Sequence, residues 1–140
     1  MRKHIVDTTH IWGAYKEILL GENVMSRVIR FGVNGMTSLH RHAVDEIVIV
    51  ELGKVLCYSG NDSENLVTTE YGAGERIILP AMMWHSCGAI QGISKDMPFA
   101  LGIEYIFGDI QDGKYVIERH PTTPSKPTPY KQWSDSLQTP

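Results

Sequence analysis

The sequence has little cysteine, no long apolar run and no strong excess of charge of either sign. Its two cysteines, Cys57 and Cys87, form neither a CxxC motif nor a disulfide framework, so we interpret them as small buried hydrophobic residues. No stretch of 18 or more apolar residues occurs, which excludes a helix that spans a membrane. The formal net charge of -3, without a long basic run, argues against nucleic acid or an acidic membrane as partner.

A secretory signal is also missing from the start of the chain. Met1 to His4 leads into a mixed segment without the apolar region of a signal peptide, so we expect a cytoplasmic location. The 140 residues suffice for one domain with a core of its own. A hydrophobic content of 42% and a charged content of 21% are typical of a globular protein.

Proline is scarce except at the C-terminal end. Five of the seven prolines lie in residues 121–140, and such a segment cannot form a regular hydrogen-bond ladder. We therefore predict a barrel domain over 1–120 and a Pro/Ser/Thr-rich tail over 121–140. Tyr130 and Trp133 would suit an arm that packs on a neighbouring subunit, and a solvated, frayed end is the alternative.

Short runs of β-branched and aromatic residues alternate with glycine-containing turns along the chain. Strands about ten residues apart, with turns between them, predict an all-β sandwich or barrel. Only Tyr15 to Leu20 has a helical pattern. The predicted strands cover Val24 to Phe31, Glu46 to Glu51, Lys54 to Ser59, Arg76 to Leu79, Phe99 to Phe107 and Tyr115 to Ile117.

Two histidines and a glutamate follow a glycine-rich turn at a spacing that suits a metal site. In a strand, His40 and His42 point to the same side while Arg41 points to the other. Glu46 follows after three residues at the start of an apolar strand, so its carboxylate can turn into the same cavity. Imidazole and carboxylate together suit Fe(II), Mn, Ni, Co or Zn.

A second block supplies a third imidazole. His85 lies five residues beyond Pro80, which ends a predicted strand. His4, His10 and His120 have no other potential metal ligands at a regular spacing beside them, and we interpret them as surface histidines. The candidate metal ligands are therefore His40, His42, Glu46 and His85.

The first block resembles the first cupin motif, G(x)5HxH(x)3–4E(x)6G. His40, His42, Glu46 and Gly53 match it at the family spacing, and Gly35 lies one residue closer to the histidines than usual. The second block resembles the second motif, G(x)5PxG(x)2H(x)3N. Gly74, Pro80 and His85 match it, while Met82 replaces the usual glycine and Ala89 the usual asparagine.

This resemblance covers residues 24–107 and implies a double-stranded β-helix, or jelly-roll, barrel. It also implies one divalent transition-metal ion (Zn, Mn, Fe, Ni or Co) held by the four candidate ligands. Because cupins usually pair through their outer sheets, and exposed strand edges invite pairing, we expect a homodimer.

A finer resemblance is to the cupin domain of bifunctional mannose-6-phosphate isomerases. The WGAY element at Trp12 to Tyr15 and the strand Phe99 to Asp109 look like segments that flank the barrel in that family. Glu104 falls on the acidic position of the second segment, and Arg119 lies near a family arginine. Trp12 is equally well interpreted as an apolar plug at the end of the barrel.

The resemblance implies metal-assisted proton transfer on a small polar substrate, with a sugar or sugar phosphate as the leading expectation. Glu104 would be the general base, provided that its strand points it inward, and a buried hydrogen-bonded carboxylate is the alternative. A phosphate needs a basic residue at the mouth of the barrel. The candidates are Arg27, Arg30, Lys54, Arg76 and Arg119.

Two other functions remain open from the same donor set. An Fe(II)-dependent dioxygenase would use a redox-active ion with open positions, and a cavity lined by Met82, Met83, Trp84 and Phe107 would suit an apolar substrate. A non-catalytic module would use the metal to orient a sugar or other effector. Activity without oxygen in the Zn or Mn form separates the isomerase from the dioxygenase.

Overall fold

The computed structural model describes residues 4–10, 13–33, 35–109 and 115–125. In that part of the chain every regular element is a β-strand, which confirms the all-β prediction. No helix there is long and apolar enough to cross a bilayer. The strands are β1 (His4–His10), β2 (Gly13–Leu19), β3 (Val24–Gly32), β4 (His40–His42), β5 (Asp45–Leu52), β6 (Lys54–Gly60), β7 (Val67–Gly72), β8 (Arg76–Leu79), β9 (Trp84–Gln91), β10 (Phe99–Phe107) and β11 (Val116–Arg119).

The strands form two antiparallel sheets that pack face to face as a jelly-roll barrel. The first sheet has six strands in the order β1-β2-β3-β10-β5-β8, and the second has five in the order β11-β4-β9-β6-β7. Neighbours such as β3 and β10 are distant in sequence, so the chain crosses repeatedly between the sheets. This topology places β4, β5 and β9, which carry the candidate ligands, around one end of the interior.

The period of two in the strands decides which side chains face the interior. Along β10, buried residues alternate with half-buried ones, and Glu104 is among the buried ones. Register then places Glu104 opposite Arg27 of β3 on one side and Val48 of β5 on the other. Because directly paired residues point to the same face, all three side chains enter the barrel.

An apolar core fills the other end of the interior. Both sheets contribute to it, and its members are more than nine-tenths buried. The two cysteines form a cross-strand pair within it, with their Sγ atoms 3.2 Å apart, which agrees with their interpretation as small buried residues. The core residues are Ile29, Phe31, Val33, Val48, Val50, Val55, Cys57, Ile77, Leu79, Cys87, Ala89 and Ala100.

The outer face of the six-stranded sheet is apolar as well. Val28, Ile78 and Phe107 point outward and are 40%, 62% and 42% exposed. Other outward-facing apolar side chains of β5 and β10 lie between them at half-buried positions, among them Ile47 and Ile103. Strands β5 and β10 are therefore hydrophobic on both faces, which explains their nearly continuous apolar sequences.

The helix suggested for Tyr15 to Leu20 is wrong, because this segment belongs to β2. Its residues allow either state, and pairing with β1 on one side and β3 on the other decides in favour of the strand. Strands β1, β7 and β9 were not predicted, and β9 was missed because its small and polar residues lack a β-branched run. The predicted turns are confirmed at Gly53, Gly74 and Gly108, which adopt φ values of 81°, 88° and 136°.

Part of the predicted domain division lies outside the described residues. Residues 126–140 are not among them, so the predicted arm with Tyr130 and Trp133 stays a prediction. The described beginning of the tail runs along the five-stranded sheet, where the Tyr58 hydroxyl donates to the Ser125 carbonyl. Trp12 and the side chains of His4 and His10 also lie outside the described structure.

Candidate metal centre

Three imidazoles meet at one end of the barrel. His40 and His42 lie on the same side of β4, as their spacing predicts, and His85 is directly paired with His40 across β4 and β9. The ring centroids are 4.4 to 5.0 Å apart. One nitrogen from each ring lies within 4.8 Å of the other two, so the cluster is able to hold a divalent metal ion.

Glu46 completes the predicted set from the opposite sheet. It lies near the start of β5, where the strand period turns its side chain inward, and its residue is 1% exposed. Its Oε1 is 3.4 Å from His85 Nε2 and in direct contact with His42 Nδ1. Thus the structure brings together all four residues that the sequence singles out.

The carboxylate of Glu46 is buried without hydrogen bonds. Neither of its oxygens has a hydrogen-bond partner, nor does His42 Nδ1, among the described residues. Leaving such groups unpaired costs about 1–3 kcal/mol each, and more for a charged group. A cation between these atoms would satisfy them, so the donor set fits a metal ion.

Backbone carbonyls orient the other two imidazoles. His40 Nδ1 is 2.6 Å from the Ser38 carbonyl oxygen, and His85 Nδ1 is 3.1 Å from that of Met83. Because a carbonyl oxygen only accepts, both Nδ1 atoms carry the proton and donate it. Each Nε2 is then left with a free lone pair, the arrangement usual for histidines that bind metals.

Burial keeps the imidazoles neutral. It lowers the pKa of His40 to about 3 and that of His42 to about 2, and the neighbouring histidines act in the same direction. Burial also lowers the pKa of His85, although its hydrogen bond to Met83 opposes the change. The contact between His42 and Glu46 is therefore not an ion pair, and all three rings offer lone pairs at neutral pH.

A strained turn carries His85 into the cluster. Met82 has a φ of 71°, a left-handed conformation that suits glycine, and it occupies the position where the second cupin motif has glycine. Its backbone N–H donates to the His42 carbonyl at 2.7 Å. The N–H of Ala81 donates to Asp45 Oδ1, also at 2.7 Å. These bonds fix the turn between β8 and β9 against the segment that carries the other ligands.

Glu104 faces the interior next to this cluster, as its proposed role requires. Its Oε1 accepts a hydrogen bond from Arg27 Nη1 at 3.2 Å. Arg27 Nε also donates to Glu17 Oε2 at 2.8 Å, and the guanidinium lies 4.8 Å from the centre of the Tyr15 ring. Burial would lower the pKa of Arg27, but Glu104 and its other partners outweigh burial and raise it.

Tyr115 connects this ion-paired group to the histidines. Its hydroxyl accepts a hydrogen bond from Arg27 Nη2, and its ring centroid is 5.2 Å from that of His42. Burial raises its pKa to about 12, so the phenol stays protonated. Sequence reasoning missed Tyr115 as a site residue. The inward position of Arg27 could have been predicted, because Arg27 alternates with the apolar residues Met25 and Ile29 along β3 and therefore shares their face.

The predicted apolar lining is wrong for Met82, Trp84 and Phe107. Met82 and Phe107 are 45% and 42% exposed, and Phe107 lies on the outer face of β10. Trp84 precedes His85 in the strand and therefore points to the opposite face, where it packs against Arg41. Met83 packs against the apolar core. The surroundings of the histidines are mixed: Glu46 and the Arg27–Glu104 ion pair lie beside a small buried apolar cluster of Met25, Val44, Ile106 and Tyr115.

The predicted basic residues separate into two groups. Arg30, Lys54 and Arg76 are exposed at positions away from the cluster, and Arg30 stacks over Phe99 on the outer face. Arg27 lies inside the barrel. Arg119 is paired with His40 across β11 and β4 and donates from Nη1 to Ser38 Oγ at 2.8 Å.

Comparison with known proteins identifies the fold. No protein-family model matches the chain, and a search of curated proteins gave no match either. Solved structures do match: oxalate decarboxylase from Bacillus subtilis at pH 4.6 has a TM-score of 0.64 and 15% identity over 84% of this chain and 30% of that chain. A structure from work on the Mn(II) centres of the same enzyme has a TM-score of 0.62 and 15% identity, over 82% and 29%.

These matches show that the chain has a cupin fold, as the two motifs predict. The chain spans about 30% of the length of the oxalate decarboxylase chains that it matches. A third structure, on substrate binding and a reaction specificity switch in oxalate decarboxylase, gives a TM-score of 0.61 at 16% identity over 82% of this chain and 30% of that chain. No described feature tests the finer resemblance to mannose-6-phosphate isomerases.

Proposed function

We propose that the chain is a metal-dependent cupin enzyme that acts on a small polar substrate. One divalent transition-metal ion binds His40, His42, Glu46 and His85 in this proposal. The observation that carries it is the buried Glu46 carboxylate, whose two oxygens have no hydrogen-bond partner among the described residues. A buried carboxylate of this kind lowers the stability of the protein when it has no cation, and it serves as a ligand when a metal ion is bound.

The donor set supports a catalytic site more than a structural one. Three imidazole nitrogens and one carboxylate leave coordination positions for substrate on an ion that accepts six ligands. Oxalate decarboxylase from Bacillus subtilis, which shares the fold, has Mn(II) centres. We therefore propose Mn as one natural occupant, with Fe, Zn, Ni and Co as the alternatives that the same donors accept.

The leading reaction in this proposal is isomerisation of a sugar or sugar phosphate by proton transfer. The ion, when bound, supplies a Lewis acid for carbonyl and hydroxyl oxygens. Glu104 is the general base and moves a proton between adjacent carbons. Arg27 holds the Glu104 carboxylate by the 3.2 Å hydrogen bond, and Tyr115 closes the site beside His42.

Elemental analysis tests the metal. We expect about one equivalent of a transition metal in the purified protein and its loss in His42→Ala and His85→Ala. His120→Ala is the matched control, because His120 packs near Trp84 on the opposite face of the five-stranded sheet. A parent protein that contains no metal and takes up none on incubation would contradict the proposal.

Assays under two atmospheres test the reaction class. An isomerase works without oxygen in the Zn or Mn form and loses at least 100-fold in kcat when Glu104 becomes Gln. Turnover only with Fe and oxygen would identify a dioxygenase, and decarboxylation of a small acid would place the chemistry nearer to that of the structural neighbours. Ligand binding without turnover under either atmosphere would indicate that the protein is a non-catalytic binding module.

We also propose that two copies pair through the outer face of the six-stranded sheet. The six strands of this sheet are four to nine residues long, and at about 3.4 Å per residue and a spacing of about 4.8 Å this face covers roughly 700 Å². A stable interface buries about 800 Å² on each partner, so the face suits a second copy. Sedimentation should give a dimer for the parent and a monomer for Ile78→Glu, while a monomeric parent would refute the pairing.

A further inference from the structure

An arginine shares one face of the sheet with the first histidine of the cluster. Arg119 of β11 is directly paired with His40 of β4, and paired residues of antiparallel strands project to the same side. Its Nη1 donates to Ser38 Oγ at 2.8 Å. That oxygen is in turn 3.3 Å from His40 Nδ1. The guanidinium therefore lies at the mouth of the barrel, one side chain away from the candidate metal.

Arg119 has no acidic partner among the described residues, and its side chain is exposed at the mouth. The other two arginines near β4 differ. Arg27 is held by Glu17 and Glu104, and Arg41 is paired with Glu118 on the opposite face. Arg119 is thus the arginine at the mouth that can offer its charge to an incoming group.

We propose that Arg119 and Ser38 form an oxyanion subsite that holds a carboxylate or phosphate group of the substrate. The guanidinium presents paired N–H donors that match two oxygens of either group, and the serine hydroxyl supplies one more donor. The subsite would bind one end of the substrate, and the metal of the proposed function would bind the other end, so this inference rests on the proposed function. It narrows the substrate class to small organic anions.

The closeness of the subsite to the metal ligands limits the length of the substrate. Ser38 contacts both Arg119 and His40, so an anion held by the subsite lies next to the metal ligands. A substrate that reaches both sites is therefore short, and its anionic group lies a few bonds from the atoms that meet the metal.

Anion titration of the metal-loaded protein tests the subsite. Inorganic phosphate and acetate serve as probes in separate calorimetric titrations, and the one bound more tightly identifies the group that the subsite prefers. Loss of one charge-assisted contact should weaken binding by about tenfold in Arg119→Gln. Arg119→Lys should recover part of the affinity, since it keeps the charge without the paired donors.

The control is Arg76→Gln, which removes the same charge from an exposed position on the outer face of β8. We expect unchanged affinity for both probes in this variant. Equal affinity in the parent and Arg119→Gln would overturn the subsite, as would a parent that binds neither probe. Metal content is measured on every sample. If the protein takes up no metal but still binds the anions in an Arg119-dependent way, the subsite is supported and the proposed metal-dependent function is contradicted.

Discussion

The two ends of the barrel interior differ in chemistry, although the same strands line both. Strand β5 places Glu46 at one end and Val50 at the other, four residues apart on the same face. Strand β9 does the same with His85 and Ala89, and β3 with Arg27 and Phe31. One end combines the histidines, the unpaired Glu46 carboxylate and the Arg27–Glu104 ion pair with a small apolar cluster, and the other end is entirely apolar.

The comparison separates the parts of the sequence that stabilise the fold from those that provide the site. The period of two decides only that a side chain faces inward, and its distance along the strand decides which end it enters. Residues at the apolar end bury surface and stabilise the barrel. At the other end, the buried Glu46 carboxylate without hydrogen bonds lowers the stability of the metal-free protein, so its presence there indicates a role in function.

The largest effect should come from moving polar character to the apolar end. Val50 is fully buried, and Val50→Asp places a carboxylate there without partners. We expect a loss of more than about 4 kcal/mol, which is enough to unfold a domain of this size. Denaturant unfolding measures it. Val67→Asp, at a position 65% exposed on β7, should cost no more than about 1 kcal/mol.

The second effect concerns the ion pairs at the end with the histidines. Arg27→Met removes the cation that Glu17 and Glu104 share, leaving two carboxylates without their charge partner. We expect a loss of about 3 kcal/mol in the free energy of unfolding. Arg30→Met on the outer face of the same strand loses only its stacking on Phe99, or about 1 kcal/mol. Equal losses in the two variants would show that Arg27 has no special role.

The third effect should have the opposite sign. Glu46→Leu replaces an unpaired buried carboxylate with an apolar side chain of similar size. We expect the metal-free variant to gain about 1–3 kcal/mol while metal uptake falls. Thermal unfolding after chelation, together with elemental analysis, measures both. Glu70→Leu, exposed on β7, should change neither quantity noticeably. A less stable Glu46→Leu variant would argue that the carboxylate supports the fold itself.

The smallest effect concerns the turn that leads to His85. Met82 adopts a left-handed conformation and is 45% exposed, so it loses little contact when replaced. Met82→Gly should gain about 0.5–1 kcal/mol, because glycine adopts this conformation without strain. Denaturant unfolding measures this gain, and Met83→Gly serves as the contrast, since Met83 packs against the core and should lose stability. A loss in Met82→Gly would mean that the side chain itself holds the turn.

The sequence predicts the first three residues of the site well because their geometry is local, whereas His85 reaches them through the long-range pairing of β9 with β4. His40 and His42 share a face by strand period alone, and Glu46 follows within four residues. Six predicted segments agree with strands of the structure, and the inward direction that Glu104 requires is confirmed. The ligand and catalytic roles, the cytoplasmic location, the homodimer and the role of the tail stay predictions.

Features that depend on pairing between distant strands could not be read from the sequence. The bond between Arg27 and Glu104 follows from the register of β3 and β10, 77 residues apart. Tyr115 meets His42 only because β11 pairs with β4. The apolar lining was wrong for a related reason, since a wall of the barrel depends on which face each strand turns inward.

The short strand β4 gives the centre a mechanical consequence. It has three residues, and although it pairs with β11 on one edge, it meets β9 at a single paired position on the other. Its two histidines, Glu46 of β5 and His85 of β9 belong to both sheets of the barrel. An ion bound by these residues would link the two sheets close to the single paired position of β4 and β9. Amide hydrogen exchange along β4 should then slow more on metal loading than exchange in β5, which is paired with β10 along its length and with β8 over four residues.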